Sequence, residues 1–340
     1  MIYRSKAPLR IGLAGGGTDV SPYSDQFGGA ILNATVSLSA YATLEPINEN
    51  KIILQALDRN EVEEYELLNQ LPITGILDLL KGVYNRIQKD NNFPLAGFKL
   101  STFVDAPAGS GLGTSSTLVV AILGAFVERY KLPLSDYDIA QYAYDIERNN
   151  LQLAGGKQDQ YAATFGGVNF MEFYEGDKVI VNPLRIKPQY LHELENNLVL
   201  YFTATSRESA TIIKEQVKNV NNNNEKSIEA MHQLKEQAKM MKEALLRGKL
   251  NDIGEILDYG FQQKRLMAAN ISNEAIENIY DAAKNAGAAG GKISGAGGGG
   301  FMIFYCPNNT RYAIINALNN FGGNVKKYQF TKYGLTTWTV

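Results

Sequence analysis

The sequence predicts a protein of two domains, with an antiparallel sheet early in the chain and a run of helices later, and three features carry that expectation. Its 340 residues exceed what one ordinary core holds. Strand-like runs at 31–47, 51–58 and 62–67 precede the first long helical run, as an antiparallel sheet requires. Helical runs at 225–247, 250–269 and 273–286 then follow one another with no strand between them. Around Asn182 to Tyr190 the pattern breaks at Pro183 and Pro188, which divides the chain into domains 1–187 and 188–340. Hydrophobic residues make up 45% and charged residues 20%, the proportions of a soluble globular protein. A net charge of -2 leaves no basic excess to hold a nucleic-acid backbone.

The elements follow in order. Tyr3 to Ala14 reads as extended, interrupted by Pro8, and runs into Gly15-Gly16-Gly17-Thr18-Asp19. Ile31 to Ile47 alternates and is rich in β-branched and aromatic residues, and Lys51 to Asp58 and Val62 to Leu67 extend the sheet. Ile76, Leu79, Leu80, Val83 and Ile87 fall at helical spacing. Gly97 to Val104 is a strand that delivers the chain to Pro107-Ala108-Gly109-Ser110-Gly111-Leu112-Gly113-Thr114-Ser115-Ser116. Behind that loop lies an apolar helix, Thr117 to Tyr130, with Thr114 or Ser115 placed to cap it. A second helix starts at the N-cap Ser135 and carries Ile139, Tyr142, Ala143 and Ile146 on its apolar face, with Glu147 just beyond. Gly155-Gly156-Lys157-Gln158-Asp159 and a strand from Gly167 to Tyr174 complete the first domain.

The second domain opens with a strand, Asn197 to Ala204, and a polar loop, Thr205 to Ser209, in which Ser206 suits a helix cap and Arg207 is free to reach a ligand. After the three helices comes Gly290 to Phe301, in which Gly295, Gly297 and Gly300 formally spell G-x-G-x-x-G. A dinucleotide fingerprint needs a strand before it and a helix after it, and here a strand, Phe301 to Cys306, follows. No Gly-Lys-Ser/Thr closes either loop, which excludes a P-loop. Asn309 to Asn320 is a helix, and Val325 to Phe330 and Leu335 to Val340 are strands.

Read alone, the Pro107 to Ser116 loop is equally a phosphate cradle and a glycine-rich turn ahead of a buried helix. Its glycines can turn backbone N–H groups into a concavity, and a helix N-terminus carries about half a positive charge. Asp159 beside Lys157 is likewise either an acid/base pair or a carboxylate favourably placed in the first turn of a helix. Cys306, the single cysteine, sits in an apolar strand as an inert thiol and rules out an intramolecular disulfide or a thiolate metal cluster. His192 and His232 lie among polar helical residues, which speaks against Ser-His hydrolysis and a His-based metal site. Neither a secretory h-region after Met1 to Lys6 nor a run long enough to span a bilayer is present, so a cytoplasmic protein with no membrane partner is expected.

Taken together, the three glycine-rich stretches resemble the motifs of the GHMP kinases, the family of galactokinase and of homoserine, mevalonate and phosphomevalonate kinases. Pro8 to Asp19 resembles the first motif, Pro107 to Ser116 the second and Lys292 to Phe301 the third. The resemblance implies an N-terminal α+β domain and a C-terminal domain of helices on an antiparallel sheet, with ATP in the cleft between them. It implies that Pro107, Gly109, Ser110, Gly111, Leu112, Gly113, Thr114, Ser115 and Ser116 hold the nucleotide phosphates and that Ser115 and Glu147 bind Mg²⁺. Asp159 would be the catalytic carboxylate that orients the acceptor hydroxyl and takes its proton, and Arg10 would stabilise the transferring phosphoryl and keep Asp159 ionised.

Substrate contacts are expected from Gly16, Gly17, Thr18 and Asp19, where galactokinase has Gly-Glu-His-Thr-Asp. Two glycines in place of Glu-His imply a roomier pocket with fewer direct contacts. The run from Ala7 to Asp19 looks most like the bacterial D-glycero-D-manno-heptose 7-phosphate kinases, one branch of the family. That branch phosphorylates the anomeric hydroxyl on the way to GDP-heptose for surface polysaccharides. Lys157 and Arg207 are then candidates for the sugar's distal phosphate, and Gly295, Gly297 and Gly298 would close the site over the substrate. The resemblance also admits an L-fucokinase- or galactokinase-like sugar 1-kinase, or a non-catalytic sugar and ATP sensor. The oligomeric state is left open.

Overall fold

The computed structural model describes residues 1–205 and 209–340. The chain runs through β1 (Tyr3–Ala14), α1 (Tyr23–Phe27), β2 (Gly29–Pro46), β3 (Lys51–Ala56), β4 (Glu61–Glu66), α2 (Asp78–Asn91), β5 (Phe98–Val104), α3 (Thr114–Tyr130) and α4 (Asp136–Asp145). It continues as α5 (Gln158–Phe165), β6 (Val168–Phe173), β7 (Val179–Pro183), α6 (Pro188–Asn197), β8 (Leu198–Phe202) and α7 (Ser209–Asn221). The last part is α8 (Glu225–Arg247), α9 (Ile253–Met267), α10 (Glu274–Asn285), β9 (Gly290–Ile293), β10 (Phe301–Tyr305), α11 (Arg311–Leu318), β11 (Asn324–Val325) and β12 (Thr336–Thr339).

β2 is the spine of an eight-stranded sheet. One of its edges pairs with β1, while the other pairs with β6 over Gly29–Ala34 and with β5 over Ala40–Pro46. The alternation expected along this strand is absent from Ile31 to Val36, where every residue is buried. Both faces are covered there: Ile31 packs with Tyr161 and Met171, and Leu32, Ala34 and Val36 pack toward the second sheet. Pro8 does not end β1. The ladder shifts register between Pro8 and Arg10, and β12 pairs only with Tyr3–Lys6, so the missing N–H falls beyond that neighbour. Pro188 likewise opens α6 rather than a loop, since the first helical turn does not need its N–H.

The second sheet is antiparallel, in the order β11-β8-β10-β9. Of the two terminal strands, only Asn324–Val325 joins it, and β12 returns to the first sheet beside β1. The two sheets share a core in which Leu9, Ile11 and Leu32 meet Leu200, Ile303, Met241 and Leu257. Burial of apolar area on that scale holds the lobes in one register, at roughly 25 cal/mol for each Å² removed from water. Cys306 is buried in a separate core, with Val199, Phe304 and Ile314, as a free thiol, and burial pushes its pKa up to about 12. Caps agree with sequence chemistry at α4, where Ser135 and Asp138 form a capping box, and at α8 and α10, which start behind Asn224 and Asn273.

Candidate active site

The three glycine-rich stretches meet in one cleft of about 650 Å³ between the sheets. The Pro107 to Ser116 loop turns through left-handed backbone at Gly109, Gly111 and Gly113 (φ 70°, 82° and 77°). α3 then begins at Thr114, three residues earlier than periodicity suggests, with Gly113 at the N-cap and no side chain capping the first turn. Thr114 and Ser115 therefore are not caps. Their N–H groups and that of Ser116 stand at the positive end of a buried 17-residue helix, and all three residues line the cleft.

Arg10 reaches into this loop from β1. Its Nε donates to Asp159 Oδ1 at 2.7 Å, its Nη2 lies 2.5 Å from the same oxygen, and its Nη1 donates to the Gly111 carbonyl at 2.6 Å. The guanidinium is 4% exposed and the carboxylate 24%, so the pair is sheltered on one side and open to the cleft on the other. Asp159 sits in the first turn of α5 against Gly113, where a Cβ would come within 3.1 Å of its Cγ. Asp19 closes the other side. It accepts from the Gln158 N–H at 3.0 Å, and Gly156 packs so closely that a side chain there would overlap its carboxylate. Burial raises the Asp19 pKa, partly offset by that N–H.

Glu147 lies on a π-helical turn, Ile146–Asn150, which follows α4 directly. It is buried, and Gln160 Nε2 donates both to its Oε2 and to Ser116 Oγ (3.1 Å for the latter). Arg148 stands 3.8 Å away, and burial raises the Glu147 pKa despite it. Among the described residues no three His, Cys, Asp or Glu side chains form a ready metal cage. Mg²⁺ does not ask for one: it is held by one or two carboxylates together with phosphate oxygens, and Glu147, Ser115 and Ser116 present hard oxygen donors on the cleft wall. The residues present fit that ion.

The third stretch packs backbone to backbone on the second. Ser294 Oγ donates to the Gly111 carbonyl at 2.8 Å, and the Phe301 N–H donates to the Ser110 carbonyl at 2.8 Å. A Cβ on Gly111 would lie 2.6 Å from Ser294 O, and one on Gly295 would lie 2.6 Å from Gly111 Cα. The first stretch is equally crowded. The Gly15 N–H donates to Gln237 Oε1 at 3.0 Å, and a Cβ on Gly17 would come within 2.5 Å of Met267 Cε. The space beside Gly15 and Gly17 is taken up by α8 and the end of α9.

Several sequence-based expectations need correction. Lys157 does not face the cleft: it is buried, paired with Asp177 at 2.8 Å and Asp25 at 3.5 Å. The Thr18 hydroxyl is spent inside its turn, donating to the Gly15 and Ala30 carbonyls. Gly297 and Gly298 pack on Ile271 rather than line the cleft, while Gly295 does line it. Pro107, Ser110 and Leu112 shape the loop without lining the cleft, and Leu112 belongs to the shared core. Ser206 and Arg207 lie outside the described residues.

Among the cleft residues that the sequence did not single out are Gln216 of α7 and Lys264 of α9. Both are nearly sealed, 2% exposed. Burial lowers the Lys264 pKa to about 8, with Asp19 opposing the shift and Arg10 adding to it. A signal was present: each is a polar residue at helical spacing from buried apolar ones, Gln216 between Ile212 and Val220, and Lys264 after Leu257 and Phe261.

Residues 78–167 match the family model for the GHMP kinases N terminal domain, and residues 241–324 match that for the GHMP kinases C terminal domain. A D-glycero-alpha-D-manno-heptose 7-phosphate kinase of Campylobacter jejuni is 48% identical over 99% of both chains. The crystal structure of a D-glycero-D-manno-heptose 1-phosphate kinase from Bacteroides thetaiotaomicron superposes with a TM-score of 0.85 at 46% identity, covering 99% of each chain. An L-fucokinase/L-fucose-1-P guanylyltransferase of Bacteroides fragilis is 28% identical over 87% of this chain and 34% of its own length.

Proposed function

The chain belongs to the GHMP kinases, and on that premise we propose that it transfers the γ-phosphoryl group of ATP to the anomeric hydroxyl of D-glycero-D-manno-heptose 7-phosphate, giving the 1,7-bisphosphate. The observation that carries the substrate is the 48% identity, end to end, with a kinase of that name. L-fucokinase-like specificity is less well supported at 28% identity. The names of the two nearer relatives place the sugar's phosphate on different carbons, and the bisphosphate assignment follows the one with the higher identity.

In this reading the first turn of α3 and the amides of the Gly109–Gly113 loop bind the nucleotide phosphates, since unpaired N–H groups at a helix start favour anions. Arg10 clamps Asp159 and aims it into the cleft, where its outer edge is open. As the anomeric oxygen bonds to the γ-phosphorus and the bond to the β–γ bridging oxygen breaks, Asp159 accepts the hydroxyl proton. Arg10, 4% exposed, places a fixed positive charge beside the transferring oxygens, and positioning with electrostatics carries most of the acceleration in this reaction class. Ser115 and Glu147 would hold Mg²⁺, which when bound neutralises phosphate charge. An anomeric hydroxyl is more acidic than an ordinary alcohol, so a carboxylate is a sufficient base.

ATP as donor supports a cytoplasmic reaction, and the product would feed GDP-heptose synthesis. Among the described residues no helix is long and apolar enough to cross a membrane. The deciding experiment measures ADP release over heptose 7-phosphate, heptose 1-phosphate, free heptose, L-fucose and galactose. Heptose 7-phosphate is expected to show the highest kcat/KM, with an acid-labile anomeric phosphate in the product. A preference for an unphosphorylated sugar would sink the assignment, and ATP binding without turnover of any sugar would favour a sensor.

Glu147 gives a separate check. Glu147→Gln removes a buried charge while keeping the bond from Gln160, so the variant is expected to melt at or above the wild-type temperature. Turnover should fall, and the Mg²⁺ concentration needed for half-maximal rate should rise. Unchanged Mg²⁺ dependence would remove Glu147 from the ion's site.

A further inference from the structure

Gln216 and Lys264 stand on helix stripes that otherwise face the core, and both are 2% exposed. An amide or ammonium buried among apolar neighbours is costly unless something binds it. The fold satisfies these two only in part. Lys264 Nζ donates to the Gly295 carbonyl at 2.6 Å, and an ammonium has three protons to give. Among the described residues nothing hydrogen-bonds the Gln216 carboxamide, which lines the cleft shared with Arg10 and Asp159.

Their tips lie against neighbouring glycines of the first loop. A side chain at Gly16 would begin 3.6 Å from Lys264 Nζ, and one at Gly17 would begin 3.7 Å from Gln216 Oε1. Asp19, two residues on, lines the same cleft. A loop without side chains thus faces an ammonium donor, a carboxamide that both donates and accepts, and a carboxylate acceptor. The ammonium and carboxylate balance in charge, which suits neutral hydroxyls better than a phosphate dianion that Asp19 would repel.

We propose that Lys264 and Gln216 are specificity-determining residues which, with Asp19, bind hydroxyl groups of the sugar. Recognition absent from the glycines of the first loop comes from across the cleft, on α7 and α9. A bound sugar then bridges the two lobes. The inference rests on the sugar-kinase reading above and deepens it.

Lys264→Met and Gln216→Leu remove the polar tips and shorten each side chain by only one atom, so both are expected to fold. KM for the sugar phosphate should rise about tenfold or more in each, with KM for ATP unchanged. Calorimetric binding of the sugar phosphate without nucleotide should weaken in step, and phosphorylated and unphosphorylated sugars should lose by the same factor. Should either variant fail to fold, Lys264→Gln and Gln216→Glu serve in its place. A Lys264→Met defect confined to phosphorylated sugars would overturn the hydroxyl assignment in favour of a phosphate contact. Unchanged KM for the sugar, or a defect in ATP binding instead, would overturn it outright. If the wild type prefers another sugar, the heptose assignment fails alone, and the same KM comparison on that sugar decides the subsite. A wild type that turns over no sugar overturns both.

Discussion

Asp159→Asn is expected to lower kcat by about 10²–10⁴-fold while leaving ATP binding close to that of the wild type. The substitution keeps the shape that packs against Gly113 and an oxygen for the Arg10 Nε to bond, so the geometry of the α5 start survives. Lost are the charge that accepts a proton and the counterion of a guanidinium 4% exposed. Arg10 keeps its bond to the Gly111 carbonyl, and the 24% exposure of Asp159 lets water replace part of the lost pairing, so the fold is expected to hold. ADP release and calorimetric titration of ATP, run on one preparation with its thermal melt, separate the chemical step from binding and folding. Retention of more than a tenth of wild-type turnover would leave Asp159 without the role of base and restrict it to holding Arg10.

Gly111→Ala is expected to cost roughly 3–5 kcal/mol of stability, combining left-handed strain with forced displacement of packed backbone. At Gly111 φ is 82°, and the added Cβ would stand 2.6 Å from the Ser294 carbonyl oxygen, a backbone atom that cannot swing aside. The same residue's carbonyl accepts from both Arg10 and Ser294, so any shift also moves the guanidinium that aims Asp159. Gly176→Ala is the matched control. Its φ is 70° and nothing lies within 4 Å of the new Cβ, so strain alone applies, about 1–2 kcal/mol. Urea midpoints with unchanged m-values measure the difference. Equal losses in the two variants would show that close packing of the second and third glycine stretches contributes nothing beyond backbone strain.

Much of this molecule was legible from local pattern. Ile76 to Ile87 gave a helix because its apolar residues recur at helical spacing, and α2 covers Asp78–Asn91. Ser135 marked the start of α4 because its hydroxyl can reach a backbone N–H three residues on. Where local pattern failed, the cause was a local rule at Pro188 and a neighbour distant in sequence elsewhere. Pro188 read as a break, yet the first turn of α6 tolerates it. Lys157 read as a free cation beside a carboxylate, yet Asp25 and Asp177 approach it from other elements. Gly16 and Gly17 read as empty space, yet Lys264 and Gln216 reach into it from the other lobe.

What the sequence by itself determined is the set of chemical parts: three glycine-rich stretches tied to strands and helices by local rules, and, through the resemblance they carry, Arg10 within β1, Asp159 at the start of α5 and Glu147 just past α4. Which of those parts face one another was decided only by tertiary structure. Arg10 and Asp159 are 149 residues apart, and their 2.7 Å contact depends on β1 and α5 sharing one core. Side-chain direction at a helix start follows from nearby residues, but the identity of what stands opposite follows from how two sheets pack, and hydrophobic burial sets that without regard to sequence distance.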